Sequence, residues 1–266
     1  MADHVLITGG AHRLGQLLVR SFAKAGWHVW CHYARSGDAA HTLQQELRGA
    51  GLSVDTVAAD LAQEPQVLAM MAHIAQHSGG LRAVVNNASL FEPDTGPDFD
   101  PALMRRQLEV NLIAPLLLGR ELARQQAARR ASDPHADACV VHLLDQKVFN
   151  LNPDYFSYTT SKLALERSVA LQAQALAPSV RVCGVAPGLI YPSGPQSEDN
   201  FARAGRVNLL HRAIDPHDVA ASCRFLAENR ALNGVTLAVD NGQHLVPLER
   251  DVMFAINTLK AQPGHG

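Results

Sequence analysis

The chain has 266 residues, 47% of them apolar and 18% charged, with a formal net charge of −2 at pH 7. That is enough chain for one large domain or two small ones around an ample core, and so even a charge balance gives no reason to expect nucleic acid or an anionic membrane as a partner. The longest apolar runs, such as 110–118, are too short to span a bilayer, and Asn111 and Pro115 interrupt that one.

From the N-terminus, Met1-Ala2-Asp3-His4 runs straight into an apolar segment with no signal-peptide core, so a cytoplasmic protein is expected. A strand predicted at 4–8 enters the glycine turn Ile7-Thr8-Gly9-Gly10-Ala11-His12-Arg13-Leu14-Gly15, which opens into a helix at 13–25 closed by Gly26. A strand at 28–33 and a helix at 38–50, closed by Gly51, come next. The alternation continues with strand 53–58, helix 64–77, strand 82–86, helix 101–130, strand 138–144, helix 155–177, strand 180–185, helix 215–228 and strand 235–239. The strands are short, Val- and Leu-rich and mostly without polar alternation, as expected of strands covered on both faces. Such an order predicts an α/β fold, a doubly wound parallel sheet in a single domain, with its ligand crevice at the carboxyl ends of the strands.

Two stretches break the rhythm: the polar loop 131–137, and residues 188–206, which hold much of the chain's Gly and Pro and stand where a substrate lid is expected. No linker divides the chain, so residues 1–250 are read as one domain and 251–266 as a C-terminal extension. The four cysteines, Cys31, Cys139, Cys183 and Cys223, are widely spaced and are expected as free buried thiols. His73 and His77 lie one helical turn apart, but no acidic or cysteine partner completes a ligand set, so no metal is expected.

The glycine turn between strand and helix suggests a nucleotide site, because a helix N-terminus offers free N–H groups to a pyrophosphate. The strongest chemical signal is Tyr158-Thr159-Thr160-Ser161-Lys162, where phenol and ammonium share a helix face. A nearby cation would favour the phenolate and lower the tyrosine's pKa. Tyr155 lacks such a partner, since Thr159 stands four residues on. Asp145 ends a strand thirteen residues before Tyr158, Asn86-Asn87-Ala88 ends another, and Asn111 falls in the helix that follows.

Thr8-Gly9 to Gly15, Asp60-Leu61, Asn86-Asn87-Ala88, Asn111, Tyr158/Lys162 and Pro187-Gly188 stand in the order and spacing of the short-chain dehydrogenase/reductase family, which the chain resembles over about residues 4–245. The resemblance implies a Rossmann-fold NAD(P)-dependent oxidoreductase, usually a homotetramer. Tyr158 would be its proton donor, Lys162 would hold the nicotinamide ribose and acidify Tyr158, and Asn111 would position a water for proton relay. Thr8, Gly9, His12, Leu14, Gly15, Asp60, Leu61, Asn87, Ala88, Pro187 and Gly188 would complete the cofactor site.

Two departures narrow the reading. The family usually has Ser where this chain has Asp145; a carboxylate cannot donate a hydrogen bond to a substrate carbonyl unless protonated, and suits a substrate whose ring nitrogen must receive a proton. Arg13 also replaces a glycine in the turn. Both features, with His32-Tyr33-Ala34-Arg35-Ser36 and Asn86-Asn87-Ala88-Ser89 followed closely by Phe91, resemble the pteridine reductase branch. In that resemblance Arg13 reaches the cofactor phosphates and the pterin edge, Ser89 hydrogen-bonds the pterin and Phe91 stacks on its face. The lid residues Ile190, Tyr191 and Pro192 match that branch less well, and a dihydromonapterin or dihydrofolate reductase fits as well as a biopterin reductase.

Cofactor choice follows from charge: NAD sites usually place an acid after the second strand, whereas Tyr33-Ala34-Arg35-Ser36 stands here, with Asp38 falling later in the next helix, and Arg35 and Ser36 suit the 2′-phosphate of NADPH. The expected activity is reduction of a pterin or folate with NADPH, with Tyr158 and Asp145 as one relay. A carbonyl reductase of an oxoacyl chain or small ketone, with the same fold, is the alternative; a cofactor-binding sensor without turnover is the third reading, against which the retained Tyr and Lys count.

Overall fold

Every strand marked out by an apolar run is present in the computed structural model, which describes residues 2–133, 136–194 and 196–259. Strands β1 (His4–Ile7), β2 (His28–Tyr33), β3 (Val54–Ala58), β4 (Ala83–Asn86), β5 (Cys139–Leu143), β6 (Arg181–Pro187) and β7 (Thr236–Val239) form one sheet in the order β3-β2-β1-β4-β5-β6-β7. All neighbouring pairs are parallel. The chain order reverses between β1 and β4, so a crevice opens at the carboxyl ends of those two strands.

Alternate strand residues feed two cores, as the two-residue side-chain period requires. Val5, Ile7, Val85 and Val141 pack with Leu18, Phe22, Leu43 and Leu226 on one side. Leu6, Val84, Val140 and Val182 pack with Met71, Ile74, Leu118 and Leu165 on the other. The covering helices are α1 (Arg13–Lys24), α2 (Gly37–Gly49), α3 (Glu64–Ser78), α4 (Pro101–Leu108), α5 (Ala114–Arg130), α6 (Phe156–Leu176) and α8 (Pro216–Glu228), with α7 (Glu198–Ala204) and α9 (Val252–Leu259) lying outside this pattern. Gly26 and Gly51 end α1 and α2 with left-handed φ of 86° and 77°, the conformation for which their C-terminal positions marked them. The four cysteines are buried and free.

The structure departs from the expected elements in three places. The helix predicted at 101–130 is broken: a π turn at Glu109–Ile113 separates α4 from α5. Pro115 has no N–H to return to the carbonyl of residue 111, so the regular ladder is interrupted there. The lid stretch contains α7, capped by the Ser197 hydroxyl accepting from the Asn200 N–H. The C-terminal extension is not a tail over its described part: α9 buries Val252, Met253, Ala255 and Ile256. Among the described residues, no helix is long and apolar enough to cross a membrane.

Two buried histidines tie the sheet to its surroundings. His32 Nδ1 accepts from the Gly9 N–H at 3.0 Å, and its Nε2 lies 3.0 Å from the Ala59 carbonyl, to which it must donate. His142 sits between Asn86 Nδ2 at 3.1 Å and Gln172 Oε1 at 2.9 Å. Those partners fix a neutral imidazole in both cases, and burial pushes each pKa down from 6.5 to about 4. An unfolded chain takes up these protons near 6.5, so their stabilisation is complete above that pH and is lost as pH falls towards 4. The loss is at most roughly 3 kcal/mol for each histidine. Thermal midpoints measured from pH 7.5 to 4.5 are expected to fall steadily below about 6.5, and His32→Gln should flatten that fall; a midpoint independent of pH over this range contradicts the account.

Candidate active site

Thr8 follows β1 directly and fastens the glycine turn to the end of β4. Its hydroxyl oxygen accepts from the Asn87 and Ala88 N–H groups at 2.9 and 3.0 Å, while Asn87 Nδ2 donates to the carbonyls of Thr8 and Gly9 at 2.9 and 3.1 Å. The turn leaves no room for larger residues. A Cβ on Gly15 would stand 1.9 Å from the Gly9 carbonyl oxygen, and one on Gly9, whose φ is +62°, would stand 3.1 Å from Ala88 Cα. His12 precedes α1 without capping it through its side chain, so the first-turn N–H groups carry no side-chain cap, and Arg13, Leu14 and Gly15 of that turn line the crevice. A cradle of this shape fits a dinucleotide pyrophosphate.

The crevice is a cleft of about 460 Å³. Gly9, His12, Arg13, Leu14, Gly15, Asn87 and Ala88 line one end, and Pro187 and Gly188 from the end of β6 line its wall. Ser89, Phe91, Asp145, Tyr158 and Lys162 also line it. Tyr33, Arg35, Ser36, Asp60 and Leu61 lie outside the cleft, at or just beyond the carboxyl ends of β2 and β3; Arg35 is exposed and Leu61 buried.

Arg13 holds φ at +50°, a left-handed conformation natural to glycine and strained for a longer side chain. Its guanidinium donates to the Pro192 carbonyl at 2.6 Å and lies 4.9 Å from the centre of the Tyr191 ring. The arginine in the glycine turn therefore spans the cleft to the 188–206 stretch, a bridge that a glycine could not make.

Tyr158 and Asp145 meet. The phenol, 6% exposed, donates to Asp145 Oδ2 at 2.9 Å. Asp145 also caps the short turn Gln146–Val148 by accepting from the Lys147 N–H at Oδ1, 2.9 Å. Lys162 shares the helix face with Tyr158, but its ammonium donates to the Leu143 carbonyl at 2.7 Å and stands 5.7 Å from the centre of the Tyr158 ring. Burial lowers Lys162 to about 8, opposed by the charge of Asp145.

The expectation that the cation acidifies the phenol is reversed in this geometry. Burial, then the negative charge of Asp145 and the hydrogen bond to it, hold Tyr158 well above its ordinary value. Burial also pushes Asp145 up, against the Lys147 N–H and ammonium and the bond from Tyr158. A phenol bound to a carboxylate keeps its proton, so the pair stores one proton between two oxygens.

Asn111 is buried in the π turn with its side chain fully engaged. Its Oδ1 accepts from the Leu90 N–H at 2.8 Å and the Ser89 hydroxyl at 3.2 Å, and its Nδ2 donates to the Leu90 carbonyl and the Ser161 hydroxyl at 2.9 and 3.0 Å. This side chain joins the Ser89–Leu90 loop to α6. Phe91 stacks on Tyr155 at 4.2 Å and meets Tyr158 edge-on at 4.6 Å, so its ring buttresses the phenol as well as lining the cleft.

Sequence reasoning missed Gln146, Lys147, Gln243, Asp251 and Val252, which also line the cleft. The apolar run Val252 to Ile256 signalled a buried helix, but nothing in its spacing said where that helix docks.

A family model described as short chain dehydrogenase matches residues 3–200. The chain is 30% identical over 243 residues to a dihydromonapterin reductase of Citrobacter koseri, covering 91% of this chain and 96% of that one. It is 27% identical over 241 residues to the Klebsiella pneumoniae enzyme of the same name, with the same coverage. Among solved structures it is similar to FolM alternative dihydrofolate reductase 1 from Brucella canis complexed with NADP, at 36% identity and a TM-score of 0.84, covering 91% and 94% of the two chains. The Brucella suis protein, also in complex with NADP, matches at 37% identity and a TM-score of 0.84, covering 91% and 95%.

Proposed function

We propose, for a chain that belongs to the short chain dehydrogenase family and within it to the pteridine reductase-like branch, an NADP-dependent reductase that converts a dihydropterin or dihydrofolate to its tetrahydro form. The carrying observation is the Asp145 carboxylate bonded to the Tyr158 phenol at 2.9 Å, where the family usually has serine. The relatives' names and their NADP complexes support the same reading.

The cradle of Gly9, His12, Arg13, Leu14 and Gly15 would hold the cofactor phosphates. Tyr33, Arg35 and Ser36 would hold the 2′-phosphate, with Arg35 exposed and able to offer its planar donor fork. Asp60 and Leu61, Asn87 and Ala88, Lys162, and Pro187 and Gly188 would contact the remainder. When bound, NADPH would supply a hydride, a hydrogen with its two bonding electrons, to the carbon of the ring's C=N bond. The Asp145–Tyr158 couple supplies the proton to the ring nitrogen, and solvent restores it. Phe91 offers an apolar face, Ser89 a hydroxyl and Arg13 a multi-donor edge to a flat heterocycle. Residues 188–206, bridged to Arg13, act as the lid, and a homotetramer is the assembly implied by family resemblance.

NADPH oxidation measured in parallel with a dihydropterin, dihydrofolate and an acetoacetyl substrate tests the proposal. Turnover is expected with the first two and to decline as rising pH strips the relay of its proton. A preference for the acetoacetyl substrate would assign the chain to carbonyl reduction instead.

A further inference from the structure

Two charged side chains beside the relay have no part in the chemistry above. Lys147 is 2% exposed; its ammonium donates to the Asp154 carbonyl at 2.8 Å and to Asp251 Oδ2 at 3.3 Å. Asp251 lies 104 residues further along the chain and reaches the same cleft at the start of α9. That segment is clamped to the foot of α6. Arg250 Nε donates to both carboxylate oxygens of Asp154 at 3.0 and 2.8 Å, its Nη2 donates to one of them at 2.7 Å, and the Asp251 N–H donates to the other at 2.7 Å. Met253 then packs with Tyr155, Tyr158 and Phe91. A buried ammonium without a counter-charge is costly, so a structural ion pair could account for Lys147 anywhere along this seam. Here the pair lies against the relay itself: the backbone N–H of Lys147 is one of the two donors to Asp145.

We propose that Lys147 and Asp251 are positioning residues of the proton relay, a charge pair completed by the docked C-terminal segment, which sets how tightly Asp145 and Tyr158 hold their shared proton. The proposal rests on the relay assigned above. The two charges act in opposite directions on Asp145: the Lys147 ammonium favours its carboxylate form and Asp251 disfavours it. Asp251 also opposes ionisation of Tyr158. Among the described residues, the other charged or titratable groups lining the cleft are Lys162 on α6, His12 and Arg13 on the glycine turn, and Tyr191, while Asp154 is neutralised by Arg250. With two opposed charges, each single substitution has its own sign.

Carbon-13 NMR titration of the Asp145 carboxyl in the free full-length protein, assigned through Asp145→Asn, reads this directly and needs no substrate. Lys147→Met is expected to move the Asp145 midpoint up and Asp251→Asn to move it down. The neutral pair Lys147→Met/Asp251→Asn should return it towards wild type, and Lys147→Arg should retain it. The basic limb of the reductase pH profile should follow the same order, whereas a merely structural pair would lower activity at every pH without moving the limb. Asp251→Asn keeps the oxygen that caps the Met253 N–H but leaves the Lys147 ammonium without its partner, whereas the neutral pair leaves no lone buried charge, so the double variant remains informative should either single substitution misfold. An Asp145 midpoint unmoved in Asp251→Asn, or moved upward, overturns the proposal. Midpoints that shift as expected in a protein that reduces no pterin leave the charge pair standing and remove the pterin assignment alone.

Discussion

Replacing Tyr158 by phenylalanine is expected to lower turnover by about 10²–10⁴-fold, the usual scale for a general acid, with NADPH affinity almost unchanged. The ring would keep its contacts with Phe91 and Met253, so the variant should fold. What disappears is the hydroxyl that donates to Asp145. The serine hydroxyls beside it are already engaged: Ser89 donates to Asn111 and Ser161 to the Tyr158 carbonyl. Tyr155 provides the control. It stacks on the other side of Phe91, its hydroxyl is not bonded to Asp145, and burial holds its proton in place. Purified Tyr158→Phe and Tyr155→Phe proteins, compared by initial rates and by NADPH titration, decide the matter. Wild-type turnover in the first, or the larger loss in the second, would falsify the assignment of the proton donor.

The sequence carried the sheet well because fully covered parallel strands need apolar residues on both faces, and runs such as Ala138 to Leu144 admit little else. It carried the glycine turn and the Tyr158–Lys162 face for a similar reason: both are local geometry, fixed within a few residues. What it could not carry was long-range. The spacing of Tyr158 and Lys162 places them on one face but does not say that the ammonium will turn to the Leu143 carbonyl while the phenol turns to Asp145. The direction of the tyrosine's ionisation was therefore read from the nearer cation in sequence instead of the nearer carboxylate in space. Lys147 and Asp251 were invisible for the same reason, since 104 residues separate them. The π turn at Glu109–Ile113 was partly written in Pro115. The apolar periodicity of 101–130 runs through it unbroken, however, and periodicity reports the face a helix buries, not whether its ladder is continuous.

Substitution of Asp145 separates the substrate classes more sharply than any other change. Asp145→Ser restores the residue usual in the wider family, and is expected to lower pterin turnover by about 10²–10⁴-fold while gaining measurable activity on simple ketones. The physical contrast lies in what each side chain can give. A serine hydroxyl donates to a substrate carbonyl and stabilises a developing alkoxide; a carboxylate repels it, but holds a proton in common with Tyr158 for a ring nitrogen. Asp145 has a structural duty too, since its Oδ1 caps the Gln146–Val148 turn through the Lys147 N–H. Serine is also a good cap, whereas alanine forfeits the cap at a cost of about 0.5–2 kcal/mol. If the cap were what mattered, Asp145→Ser would behave as wild type and Asp145→Ala would be both unstable and inactive. If the proton relay matters, both variants lose pterin turnover alike and only Asp145→Ala loses stability. Phe91→Ala is the companion measurement: stacking adds only about 0.5–1.5 kcal/mol beyond burial, so it should act on KM for the pterin more than on kcat. Rates for Asp145→Ser, Asp145→Ala and Phe91→Ala on a dihydropterin and on a ketone, set beside their thermal midpoints, distinguish these outcomes. Full pterin turnover in Asp145→Ser would show that the carboxylate is only a cap, and the pterin assignment would then lose the observation it stands on.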